Sequence, residues 1–157
     1  MAKRAAELGI VMDVSHLSDK SFYDLAEVYS LPLIATHSNF RQVCDNPRNL
    51  TRDMAKIIAE RGGVIGLNLY PKFLKEGGEA AIADILPHVE YCLENFGEGA
   101  LGFGFDIDGV NGNYPKGLSL DFSIHEQVAE LLLKHYSDSV VRRIAGENVC
   151  DFFKGIL

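Results

Sequence analysis

Two histidines follow short apolar runs, at positions where the side chains of a parallel sheet can meet around a metal ion. His16 follows GIVMDV in GIVMDVSH, and His37 follows PLIAT in PLIATHS, about one strand–helix repeat later. Adjacent strands lie about 4.8 Å apart, so two such imidazoles can reach one ion at Zn–N distances of about 2.0–2.1 Å. The pattern favours a metal pair, although a single histidine of this kind is more commonly a hydrogen-bonded, partly buried imidazole.

Two further side chains could act on a substrate at the same edge of the sheet. Asp106 ends the run in GFGFDIDG, and a carboxylate there can ligate a metal or take a proton from metal-activated water. Arg48, in the polar loop CDNPRNLT, offers a planar guanidinium that suits a substrate carboxylate. An equal alternative for Arg48 is a surface side chain that caps a helix or pairs with Asp45. Two histidines do not complete a catalytic zinc site, which usually has three protein ligands.

Other polar residues have simpler interpretations. Asp13 lies just inside the first run and is expected to be hydrogen-bonded internally or to orient a histidine, whereas Asp108 before Gly109 is expected in a turn. Asn68 ends the third run and adds a polar group at the same edge. Three remaining histidines fall in predicted helices and are expected at surface or boundary positions: His88, His125 and His135.

The elements that must position these residues follow from the apolar pattern. Four short, evenly apolar runs predict buried parallel strands at 9–14, 32–36, 63–69 and 100–105. Capping residues and glycines predict helices at about 18–29, 51–61, 79–96, 123–135 and 138–154, with a possible break at Gly146 and a first helix ending at Gly9. This alternation predicts an α/β fold with right-handed βα units, whose functional side chains gather at the carboxyl ends of the strands.

Composition narrows the classes of partner. The chain has 157 residues, is 47% hydrophobic and carries a formal net charge of −7. This balance is typical of one soluble domain, assigned to residues 1–157, and it argues against nucleic acid as a partner. No stretch approaches the ~20 apolar residues of a membrane span. Three widely spaced cysteines predict reduced thiols in a reducing compartment, the cytoplasm.

Four blocks of the chain together resemble the renal, or membrane, dipeptidase family of zinc peptidases. The blocks are DVSHLSDKSFYDL, PLIATHSNFRQVCDNPRNLT, ERGGVIGLNLYPKFL and GFGFDIDGV, in order, and the similarity runs over about residues 4–156. The resemblance implies a (β/α)8 barrel with two zinc ions, in which metal-activated water cleaves the peptide bond of a dipeptide. It also implies that His16 and His37 ligate one zinc, that Arg48 binds the substrate carboxylate, and that Asp106 contacts the substrate amine and handles protons.

The chain departs from this family in what it lacks. The family's His-x-Asp ligands, its bridging glutamate and a further histidine belong to an N-terminal half, and no His-x-Asp occurs here. Since a full barrel takes about 250 residues, we expect the C-terminal half-barrel, strands five to eight, with trailing helices. We expect partial zinc binding at most, no activity alone, and self-association or pairing with an N-terminal half through open strand edges. A non-catalytic scaffold and an amidohydrolase for another amide remain alternatives.

Overall fold

A parallel sheet forms the centre of the fold. The computed structural model describes residues 1–119, 121 and 123–156, and within them three strands lie in the order β1-β2-β3. The strands are β1 Ile34–Ala35, β2 Val64–Leu67 and β3 Leu101–Phe103. Ile34 pairs with Val64, and Ile65 pairs with Leu101. Three of the four predicted strand regions therefore contain parallel strands.

The first predicted strand, 9–14, does not form a regular strand, so that prediction was wrong in detail. Asp13 makes a single parallel bridge to Ile34, supported by hydrogen bonds from the Val14 N–H to the Ile34 carbonyl (2.9 Å) and from the Ile34 N–H to the Met12 carbonyl (3.2 Å). Among the residues that the structure describes, the segment has a sheet neighbour on one side only, and its Ile10 carbonyl accepts the hydroxyl of Tyr29 (2.6 Å). We call residues 10–14 the edge segment, which still lies beside β1 as predicted.

Besides a short helix at Pro71–Leu74 that the pattern did not predict, helices follow the strands as expected, with differences at two places. The first difference is that the predicted helix at 79–96 divides into a 3-10 turn, Ile82–Ile85, and a helix that starts at Leu86. The second is that the last predicted helix is interrupted by a π-helical segment, Arg143–Glu147, which contains the expected break at Gly146. Within the described residues the α-helices are α1 Ala2–Glu7, α2 Asp19–Val28, α3 Arg52–Glu60, α4 Pro71–Leu74, α5 Leu86–Phe96, α6 Ile124–Leu132, α7 Asp138–Arg142 and α8 Asn148–Lys154.

The predicted helix caps are confirmed by their hydrogen bonds. The side-chain oxygen of Ser18 accepts the N–H of Ser21 at the start of α2 (3.2 Å). Thr51 does the same for the N–H of Met54 at the start of α3, also at 3.2 Å. Ser137 caps α7 in the same way. Each cap satisfies a backbone donor that the first turn of a helix leaves unpaired, which explains why the boundaries were readable from local sequence.

The two faces of the sheet pack against different helices. Ala35, Ile65 and Leu101 belong to the main apolar cluster, together with residues of α2, α3, α5 and α6. Ile34 and Val64, which alternate with them, pack instead with Phe152 of α8. Since Ile34 and Val64 are the first residues of their strands, α8 covers the amino-terminal part of this face. The carboxyl ends of the strands, where the polar residues emerge, lie beyond it.

Three other sequence expectations concern the whole chain. Cys44 and Cys92 are buried and Cys150 is exposed, and all three are free thiols. Among the described helices, none combines the length and apolar character needed to cross a bilayer. The assignments to a single domain and to the cytoplasm stay predictions.

Candidate metal and substrate site

The two predicted metal ligands meet at the carboxyl edge of the sheet. His16 follows the edge segment and His37 follows β1, so neighbouring backbone segments bring them side by side. Their Nε2 atoms lie 2.8 Å apart, and their ring centroids lie 4.8 Å apart. His16 is exposed and His37 is half-buried. The spacing of one repeat therefore does place both imidazoles at one point.

Burial favours the neutral form of His37. Removal from water lowers the pKa of His37, and the negative charges of Asp106 and Asp13 offset this effect only in part. Neutral imidazole is the form that offers a lone pair to a metal.

Asp13 is hydrogen-bonded, as the sequence indicated. Its Oδ1 accepts the backbone N–H groups of Ser15 and Thr36, both at 3.0 Å, and its Oδ2 accepts the Thr36 hydroxyl at 2.6 Å. Burial raises the pKa of Asp13, but the hydrogen bonds from Thr36 and Ser15 outweigh it and hold the pKa below its usual range. Asp13 is therefore an ionised carboxylate that links the edge segment to the end of β1.

Arg48 points across the same cleft. Its Nη1 donates to the carbonyl of Ser15, next to His16, and its guanidinium carbon lies 5.5 Å from the centre of the Phe73 ring. Its backbone N–H is held by the side chain of Asn46 (2.9 Å). Stacking on an aromatic face leaves the edge of a guanidinium available for a carboxylate. The geometry thus places Arg48 in the cleft, which the sequence left undecided.

Asp106 lines the same cleft and has an uncommon backbone conformation. Its φ of 56° is in the left-handed region, and the side-chain amide of Asn68 donates to its Oδ2 at 3.3 Å. A Cβ on Gly109 would collide with the Asp106 carboxylate, so a glycine is required for this approach. Asp108 lies in a 3-10 turn, Asp108–Val110, as predicted.

His16, Arg48 and Asp106 line one cleft of about 280 Å³, and His37 lies beside it in contact with His16. This volume is near the lower end of the roughly 300–1,000 Å³ that is typical of small-molecule sites. A larger hollow of about 570 Å³ lies between α3 and α5 and contains none of the predicted site residues. We therefore take the smaller cleft as the candidate site. Its lining residues are His16, Arg48, Tyr70, Phe73, Asp106, Gly109, Val110, Asn111 and Asn113.

The donor set fits part of a zinc site. Two imidazole Nε2 atoms that face each other at 2.8 Å need to move only slightly further apart to hold one ion between them. Within the part of the chain that the structure describes, no group of three or more His, Cys, Asp or Glu side chains could hold a metal. His16 and His37 would therefore supply two of the ligands of such an ion, and a catalytic zinc would need further ligands from other residues.

His88 was expected at the surface or at a boundary, and that prediction was wrong. It is fully buried in α5, its Nδ1 accepts the N–H of Phe40 (3.3 Å), and its Nε2–H donates to the carbonyl of Leu74 (3.1 Å). Burial lowers its pKa to about 4. Helical periodicity alone does not distinguish this satisfied core histidine from a surface one. His88 ties the loop after β1 to α4.

Two buried asparagines were not singled out from the sequence. Asn39 accepts the backbone N–H of Asn68 and donates to its carbonyl, both at 3.0 Å. Asn49 donates to the carbonyl of Phe73 at 2.9 Å. Asn39 thus fixes the loop after β1 against the end of β2, and Asn49 fixes the part of that loop that carries Arg48 against α4. In the sequence they read as ordinary polar loop residues, because their partners lie 24 to 29 positions away.

Comparisons with known proteins identify a family that the chain resembles over most of its length. The family model for membrane dipeptidases, peptidase family M19, matches residues 1–156. The chain is 36% identical over 114 residues to an uncharacterized protein in the pqqA 5' region of Klebsiella pneumoniae, a match that covers 70% of this chain and 42% of that one. It is 28% identical over 144 residues to dipeptidase aclJ of Aspergillus oryzae (strain ATCC 42149 / RIB 40), covering 90% of this chain and 34% of that one.

A solved structure extends the likeness to the fold. A metallo peptidase from Rhodobacter sphaeroides, liganded with a phosphinate mimic of the dipeptide L-Ala-D-Ala, superposes with a TM-score of 0.90 at 31% identity. The match covers 99% of this chain and 45% of that one, so the chain spans less than half the length of these relatives. The predicted fold class, part of a (β/α)8 barrel with parallel strands, is confirmed. With the family model matching almost its whole length, the chain belongs to the membrane dipeptidase family, peptidase family M19.

Proposed function

We propose that this chain supplies one part of the active site of a zinc-dependent dipeptidase, which hydrolyses the peptide bond of small dipeptides. The observation that carries the proposal is the pair of imidazoles, with Nε2 atoms 2.8 Å apart, of which His16 lines the cleft that also holds Arg48 and Asp106. The Rhodobacter relative with a mimic of L-Ala-D-Ala in its structure supports a dipeptide as the substrate class.

Each residue has a role that its chemistry supports. His16 and His37 would hold one zinc, and bound zinc would activate a water and polarise the scissile carbonyl. A free dipeptide has a carboxylate at one end and an ammonium at the other. Arg48 would bind the carboxylate, and Asp106 would bind the amine and exchange protons with the reacting groups. The cleft thus offers opposite charges to the two ends of a small zwitterion.

The chain alone is proposed to be inactive. It brings two of the ligands that a two-zinc site requires, and it spans less than half of its relatives. The edge segment has a sheet neighbour on the β1 side through Ile34. Its other side is suited to pairing with an N-terminal half-barrel or with a second copy, because unpaired strand edges accept further strands.

A chimera tests the proposed function. This chain replaces the matched 45% of the Rhodobacter metallo peptidase, and hydrolysis of L-Ala-D-Ala is measured with zinc. We expect hydrolysis by the chimera and none by the chain alone. His37→Ala should abolish it, since a zinc ligand is lost. Arg48→Ala should raise KM by roughly 10- to 100-fold, as expected for a lost charge-assisted hydrogen bond of about 1.5–3 kcal/mol.

Controls separate this proposal from its alternatives. Arg142→Ala, an exposed arginine on α7, should leave KM unchanged. A dipeptide whose carboxyl end is amidated should lose its dependence on Arg48, because the charge that Arg48 recognises is gone. A folded chimera without hydrolysis would favour a non-catalytic scaffold. Hydrolysis whose KM does not change in Arg48→Ala would favour an enzyme that acts on another amide.

A further inference from the structure

A short chain of hydrogen bonds lies behind the histidine pair. The Oδ2 of Asp13 is 2.6 Å from the hydroxyl oxygen of Thr36, and that oxygen is 2.8 Å from Nδ1 of His37. On the other side of the ring, Nε2 of His37 faces Nε2 of His16. The chain thus ends at the atom that would bind zinc.

The direction of each hydrogen bond follows from the number of protons. A threonine hydroxyl has one proton, and a carboxylate can only accept, so Thr36 donates to Asp13. The oxygen of Thr36 must then accept a proton from Nδ1 of His37. A neutral imidazole carries one N–H, so Nε2 of His37 keeps its lone pair. His16 supplies the proton in the contact between the two Nε2 atoms.

We propose that Asp13 and Thr36 are positioning residues that hold His37 in the tautomer protonated on Nδ1, with its Nε2 lone pair directed towards His16. This inference rests on the proposed zinc site, for which it explains how one ligand is prepared before the metal arrives. Metal-binding histidines commonly donate their second ring N–H to a carboxylate or carbonyl, which fixes the ring and its tautomer. Here the hydroxyl of Thr36 relays that contact to Asp13.

The backbone fixes which oxygen of Asp13 faces Thr36. Oδ1 accepts two N–H groups, from Ser15 and Thr36, so Oδ2 alone is directed at the hydroxyl. In Asp13→Asn the amide oxygen must take the Oδ1 position, because an NH2 group there would face two donors. The NH2 group then donates to Thr36, and the hydroxyl of Thr36 donates to Nδ1 of His37 at 2.8 Å, which is nearer than the hydroxyl oxygen of Ser15 at 3.4 Å. The proton of His37 moves to Nε2, and the lone pair for zinc is lost.

Nuclear magnetic resonance reads the tautomer directly. Long-range proton–nitrogen correlations of His37 are recorded in the metal-free chain, well above the ordinary histidine pKa of about 6.5, and zinc is then titrated. We expect the Nδ1–H form in the natural chain and in Thr36→Ser. We expect the Nε2–H form in Asp13→Asn and a mixture in Thr36→Val. Zinc affinity should fall by about 10- to 100-fold in Asp13→Asn and Thr36→Val.

The outcomes separate the inference from the proposed function. His135, which is exposed in the turn after α6, is the control and should show the same tautomer mixture in every variant. An Nε2–H form of His37 in the natural chain, or an unchanged tautomer in Asp13→Asn, would overturn the inference. If His37 behaves as expected in the chain but the chimera described above binds no zinc, the inference stands for the tautomer and the zinc-dependent function fails.

Discussion

At the scale of single residues, the site depends on polar side chains whose roles as hydrogen-bond donors or acceptors are fixed by their neighbours. Asn68 donates its side-chain amide to Asp106, while its own backbone is held by Asn39. His88 is held by two backbone groups and stays neutral inside the core. Such buried groups stabilise the loops only while each partner is present, because an unsatisfied buried polar atom costs about 1–3 kcal/mol.

His88 should make the stability of the chain depend on pH. Its pKa is about 4 when folded, against about 6.5 for an unperturbed histidine. Between these values the unfolded state binds more protons, so the free energy of unfolding falls as the pH falls from 6.5 towards 4. By linkage the loss is about 3 kcal/mol. We expect this to appear in urea unfolding measured across that range.

His88→Gln is the matching variant, because a glutamine stays neutral at every pH. Its free energy of unfolding should be lower at neutral pH than that of the natural chain. Between pH 6.5 and pH 4, however, that free energy should fall by about 3 kcal/mol less than in the natural chain. His135→Gln, at an exposed position, should keep the pH dependence of the natural chain. Equal pH dependence in His88→Gln and the natural chain would contradict this prediction.

At the scale of elements, the contact between α8 and the sheet depends on a glycine, Gly102, which has no side chain at the point of closest approach. A Cβ on Gly102 of β3 would lie 2.9 Å from Cγ2 of Val149 and 3.2 Å from Cγ1 of Val64. Both neighbours are branched at Cβ and have little freedom to move away. The glycine therefore sets how closely α8 packs on the face that also carries Ile34.

Gly102→Ala should destabilise the chain by about 1–3 kcal/mol, the usual cost of overpacking a core, measured by urea unfolding. Val149→Ala in the same chain should recover part of this loss, because it removes the group that the new methyl meets. Gly99→Ala is the control, since the nearest atom would be 3.7 Å away. Equal effects of the two glycine substitutions would show that the close approach of α8 does not limit packing.

At the scale of the whole molecule, a chain that forms part of a barrel exposes the edge of its sheet, here the outer side of the edge segment. The edge segment contacts β1 on one side; Leu8 just before it is 55% exposed, and Ile10 at its start is 52% exposed. Apolar side chains next to an unpaired edge favour association with another chain. The site also lies at this side, since His16 follows directly from the edge segment.

We expect the chain to self-associate as its concentration rises, which light scattering would measure. Ile10→Lys should weaken the association, because a lysine beside a strand edge opposes pairing. Leu133→Lys, at a position 48% exposed just after α6, should have no such effect. A stable monomer at all concentrations would contradict this expectation.

Much of the arrangement was readable from local sequence. The apolar runs and caps predicted where β1, β2, β3, α2 and α3 lie, since burial patterns and capping act between neighbours in the chain. The strand-end positions of His16, His37 and Asp106 followed from the same runs. The family resemblance was also present in the sequence alone, and the family model confirms it.

Tertiary structure alone decided which polar groups meet. Thr36, which bonds Asp13, and the named partners of Asn39 and His88 lie between 14 and 48 positions away along the chain, so no local pattern identifies them. Tertiary packing also reduced the first predicted strand to one bridge, because its length depends on a neighbour rather than on its own apolar residues. The sequence by itself determined the candidate ligands, and the fold determined the contacts that orient them.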